Sequence, residues 1–98
     1  MARVTAQQFI TEVDAVLELL QEELAGRKAG VPGEGSVSEL QAIIKEFKGL
    51  RREARWPLLR QNTRRRLVSS YLVDDTWDLQ AELAKRVMHI TQLYCHLR

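Results

Sequence analysis

Apolar positions recur every three or four residues over most of this chain, the period of helices buried along one side. In the first segment they fall at Ala6, Phe9, Ile10, Val13, Val16, Leu17, Leu20 and Leu24. Thr5 followed by Gln8 has the form of a capping box, in which a hydroxyl accepts from a free backbone N–H and Gln8 reaches back. Val4 and Phe9 stand where a hydrophobic staple would form. The other side carries Asp14, Glu18 and Glu22, an acidic ridge at i, i+4, i+8, and Gly26 is a plausible stop.

Residues 26–37 hold four of the five glycines and one of the two prolines, which predicts a flexible loop. Its length would let the first helix pack on its own chain or swap onto a second copy. A second helix is expected from Ser38, with Gln41 completing a capping box, or from the alternative frame Ser36 with Glu39. Its stripe is Leu40, Ile43, Ile44, Phe47, Leu50 and Ala54. Pro57 biases Trp56 away from the helical region, so a break or kink is expected there. Residues 57–73 read equally as one kinked helix or two short ones. A last helix follows Asp74 or Asp75, its apolar positions in two rows: Trp77, Ala81, Ala84, Met88 and Cys95, and Leu79, Leu83, Val87, Ile90, Tyr94 and Leu97. Two rows make a wider face than one neighbour covers, which points to the centre of the fold or to an oligomer interface.

The expected fold is all-α, a small antiparallel bundle of three long helices plus a shorter or kinked one, in a single domain over 1–98. An apolar fraction of 45% with 29% charged residues suits a globular chain. The single cysteine excludes an internal disulfide. With neither an N-terminal apolar h-region nor an apolar run of ~20 residues, a soluble, cytoplasmic protein with no membrane association is expected. The net charge of +2 is unevenly spread. Residues 1–50 carry five Lys/Arg against eight Asp/Glu, and residues 51–98 carry ten against five.

Little in the sequence carries recognisable chemistry. Asp74-Asp75-Thr76-Trp77-Asp78 resembles the DDxxD element with which isoprenyl synthases hold magnesium diphosphate. The match covers five residues and has no second acidic motif, so a helix cap with first-turn acids accounts for it. Glu22-Glu23 resembles the paired glutamates of small all-α nucleotide pyrophosphatases, but no ExxD element follows. His89 and His96 lie about 10 Å apart along a helix, too far to share one metal ion unaided. Cys95 reads as a buried small hydrophobe. The glycine loop lacks the lysine of a phosphate-binding loop. The expectation is therefore a non-enzyme, without cofactor or metal.

One stretch stands above this background. Arg51, Arg52, Arg55, Arg60, Arg64, Arg65 and Arg66 fall within sixteen residues, opposed only by Glu53. Guanidinium groups bind carboxylates and phosphates in planar, bidentate fashion. The acidic ridge of the first helix is a ready partner, within the chain or across a dimer. The chain thus reads as a helical interaction module that self-associates, a homodimer, with a protein partner engaged by these arginines. A small nucleic-acid-binding regulator using Arg51–Arg66 is the alternative.

Overall fold

The computed structural model describes residues 5–33, 35–55, 77 and 81–95. Among them are three helices and no strand: α1 (Ala6–Lys28), α2 (Val37–Arg55) and α3 (Glu82–Cys95). The protein is all-helical in these residues, as its 3.6-residue periodicity requires. The expected kink at Trp56-Pro57, the segment 57–73, the caps at Asp74 or Asp75, and His96 lie outside the described residues.

Helix α1 starts as expected. The Gln8 amide N–H donates to Thr5 Oγ1 at 3.1 Å, and the Thr5 N–H donates to Gln8 Oε1 at 3.0 Å. Replacing Thr5 by alanine removes one of these bonds, and N-cap losses of this kind cost about 1 kcal/mol. Thermal melts should show the midpoint fall by about 4–8 °C; no change would mean that this terminus frays regardless of its cap.

The end of α1 departs from expectation. The helix runs through Gly26 to Lys28 and stops at Gly30, whose φ is +86°. The Val31 N–H donates to the Gly26 carbonyl at 2.8 Å, and the Gly30 N–H to the Arg27 carbonyl at 3.1 Å. These are the two bonds of a Schellman closure, which needs a left-handed residue at Gly30 and leaves Gly26 an ordinary helical position. Helix α2 likewise starts in the alternative frame. Ser36 N–H donates to Glu39 Oε1 at 2.9 Å and Glu39 N–H to Ser36 Oγ at 3.2 Å. A carboxylate at this position also interacts favourably with the helix dipole, which the Gln41 amide does not. Together the two changes shorten the connection to residues 29–36.

The core draws on all three helices. Phe9, Val13 and Leu20 of α1, Leu40, Ile43, Phe47 and Leu50 of α2, and Ala84, Val87 and Ile90 of α3 are fully buried. Among the described residues α1 packs against both other helices. The Phe9 ring tilts at 48° against Tyr94, centroids 6.2 Å apart. Tyr94 in turn donates from its hydroxyl to Glu53 Oε2 at 3.2 Å, linking α3 to α2. Helix α1 therefore packs within its own chain rather than standing free. One core position was illegible as such: Thr91 is buried, its hydroxyl donating to the Met88 carbonyl at 2.7 Å. That local bond removes the penalty of enclosing a hydroxyl.

Candidate functional site

The wide apolar face of the last helix was the first candidate for a binding surface. In α3 it is covered within the chain. Ala84, Val87, Ile90 and Tyr94 are buried, and Leu83, Met88 and Leu93 pack partly buried against the core. The one large hydrophobic residue that stands out among the described residues is Val31, 55% exposed in the α1–α2 connection. Binding by a broad apolar groove therefore has no support in this part of the fold.

Helix α2 presents a line of cations. Lys45, Lys48, Arg52 and Arg55 are all exposed. At about 100° per residue they fall within one stripe of roughly 80°, extending ~15 Å along the axis. No carboxylate interrupts it: Glu39, Glu46 and Glu53 sit on the flanks, only partly exposed. None of the four cations forms an ion pair with a described residue. Of the arginines singled out from the sequence, Arg52 and Arg55 belong to this stripe. Arg60, Arg64, Arg65 and Arg66 lie outside the described residues. Counting arginines along the chain missed Lys45 and Lys48, although their i, i+3, i+7, i+10 spacing with Arg52 and Arg55 was there to be read.

Arg51 behaves differently. Its guanidinium donates to Asp14 Oδ1 of α1 at 2.8 Å, the two side chains 39% and 49% exposed. So exposed a pair is screened by solvent and contributes only about 0.2–1 kcal/mol. Its value is geometric. Asp14 begins the acidic ridge, whose other members Glu18 and Glu22 are exposed. Arg51 lies one turn from both Lys48 and Arg55. The bond therefore joins the edge of the acidic ridge to the edge of the basic stripe. On α1 the opposite flank turns towards α3, where Leu19, Glu22 and Glu23 meet Glu82, Leu83 and Arg86. On α2 the opposite flank holds Glu53, bonded to Tyr94 of α3. The Asp14 end of the ridge thus lies beside the stripe, whereas Glu22, at its other end, lines the cleft against α3.

Glu22-Glu23, the pair that resembles the glutamates of small nucleotide pyrophosphatases, lies between α1 and α3. Both line a cleft of about 190 Å³ between α1 and α3 with Leu19, Glu82, Leu83 and Arg86. Two of its three carboxylates are already engaged: Glu23 pairs with Arg27, and Glu82 with Arg86 Nε at 3.1 Å. The Arg86 guanidinium lines the cleft itself, and no set of three potential ligands converges among the described residues. His89 is exposed on the polar side of α3 beside Lys85, Arg86 and Glu82. No protein-family model, curated protein or solved structure matches this chain. Any function therefore has to be argued from these surfaces. No helix among the described residues is long and apolar enough to cross a membrane.

Proposed function

We propose that this chain is a helical interaction module that binds a protein partner through charge, using the basic stripe of α2. The observation that carries this reading is the uninterrupted line Lys45, Lys48, Arg52 and Arg55, exposed and without an ion-pair partner among the described residues. Four aligned cations in water gain most from a surface that presents carboxylates in register, and such complementarity sets orientation and association rate more than raw affinity. On this reading the protein acts by association in the cytoplasm rather than by turnover. A small antiparallel bundle of three long helices plus a shorter or kinked one is the fold that goes with this reading, and Arg60, Arg64, Arg65 and Arg66 are its further candidate cations.

A nucleic acid is the second reading, favoured by the same stripe because guanidinium and ammonium groups suit phosphates. The neighbouring ridge weighs against it. The carboxylates at the Asp14 end of the ridge stand beside the stripe, because Arg51, which Asp14 binds, is one turn from both Lys48 and Arg55. A polyphosphate on α2 would feel their repulsion, whereas a protein of mixed sign need not.

The test is comparative capture from the native host, followed by affinity measurement at two salt concentrations. Immobilised wild-type chain should retain a protein partner that Lys48→Glu with Arg52→Glu releases. The partner's affinity should fall at least tenfold in the variant and decline with salt. Recovery of the same proteins by both chains would refute the assignment. Retention of nucleic acid alone would transfer it to the second reading.

A further inference from the structure

The α1–α2 face carries both halves of an electrostatic match. On one side Asp14 and Glu18 stand one turn apart on α1, with Glu22 a turn further on at the cleft against α3; on the other Lys45, Lys48, Arg52 and Arg55 run ~15 Å along α2. The two sets are opposite in sign, and the Arg51–Asp14 bond joins their edges. We propose that the partner is a second copy of this chain, docked on this face so that the acidic ridge of each copy lies on the basic stripe of the other.

Symmetry decides whether such a match is possible. A two-fold axis lying in the interface and parallel to the helices brings α1 of one copy over α2 of its partner, and α2 over α1, so every facing pair is attractive. An axis in the interface but perpendicular to the helices would set acid on acid and base on base. The parallel axis is therefore selected, and because it is two-fold the assembly closes at a dimer instead of growing into a fibre. The face offers no large exposed apolar residue, Val31 in the connection being the one found among the described residues. Its association is accordingly polar, reversible and governed by ionic strength. This inference rests on the charge-driven reading above and names its partner.

Sedimentation equilibrium across a salt series, with charge reversals on each side, provides the test. The wild-type chain should dimerise at about 0.01 M salt, where the Debye length is ~30 Å, and dissociate at about 1 M, where it is ~3 Å. Lys48→Glu with Arg52→Glu, and separately Glu18→Lys with Glu22→Lys, should each weaken self-association at least tenfold. All four residues are exposed, so both chains should keep the wild-type helical circular dichroism. Mixed in equal amounts, the two reversed chains should form a 1:1 heterodimer, because each now carries the single sign that the other lacks. A wild-type chain that stays monomeric at low salt would overturn the proposal, as would a dimer indifferent to salt or reversed chains that fail to pair. If the monomeric wild type still captured a protein that Lys48→Glu with Arg52→Glu releases, the second-copy inference would fall while the basic-stripe reading stood. A monomer whose affinity for mixed RNA and DNA rose on Glu18→Lys with Glu22→Lys would overturn it in favour of a nucleic acid.

Discussion

Replacing Phe9 by alanine should lower the unfolding midpoint by roughly 15–30 °C. Phe9 is fully buried one turn into α1, and its ring leans on Tyr94 of α3. Truncating a buried phenylalanine costs about 3–5 kcal/mol, through lost transfer energy and the cavity left behind. A domain of this size has about 5–15 kcal/mol in all. At roughly 4–8 °C per kcal/mol the loss should be plain in a thermal melt followed by circular dichroism. The effect should not be confined to α1. The Phe9 ring supports Tyr94, whose hydroxyl reaches Glu53 of α2, so the substitution loosens a link among all three helices. Alanine at exposed Gln7, half a turn away, is the control and should change stability by less than about 0.5 kcal/mol. If Phe9→Ala melted within a few degrees of the wild type, the docking of α1 on α3 described above would be wrong.

A second large effect is expected at Gly35, for a reason no helix pattern contains. Its φ is +80°, and a Cβ built there would lie 2.6 Å from Cζ2 and 3.0 Å from Cε2 of Trp77. An L-residue in that backbone region costs about 1–2 kcal/mol. The collision adds a comparable overpacking cost, because the indole is 5% exposed and has to be displaced from a buried position. Gly35→Ala should therefore destabilise by roughly 3 kcal/mol, with the Trp77 emission shifted to the red as the ring is displaced. Since the chain has a second tryptophan, Trp56, the measurement belongs in a Trp56→Phe background. Gly49→Ala supplies the opposite sign. It sits within α2 with nothing inside 4 Å of its would-be Cβ, so alanine there should stabilise by about 0.5–1 kcal/mol. Equal effects at the two glycines would remove the case for a tight approach at Gly35.

These two positions mark how far the sequence could be read. Phe9 was legible as core because it opens a stripe that repeats at helical spacing through Leu24. The cap at Thr5 was legible because both of its partners lie within one turn. The stop at Gly26 failed because glycine is tolerated inside a helix, and only the bonds back from Gly30 and Val31 show where the turn closes. The sequence held a clue in Val31-Pro32 directly after Gly30, since proline commonly follows a helix end. At the start of α2 both frames satisfied the capping pattern, and the carboxylate frame is the one observed. Thr91 was missed because a hydroxyl reads as polar until its bond to the preceding turn is seen. At the candidate site, Arg52 and Arg55 were found by density along the chain, but Lys45 and Lys48 required projection onto the helix surface.

What the sequence determined by itself lies within one or two turns: an all-helical chain, its first cap, and the side of each described helix that enters the core. Those follow from spacing and local hydrogen bonding, which act over a few residues. The tertiary structure alone decided which neighbour each helix faces and at what rotation. It paired Arg51 with Asp14, thirty-seven residues away, covered the broad apolar face of α3, seated Trp77 on Gly35, and brought the Asp14 end of the acidic ridge beside the basic stripe. Such arrangements depend on the rotation of one helix about its axis relative to another. That rotation is settled by side chains interlocking across the whole core, so no local pattern records it.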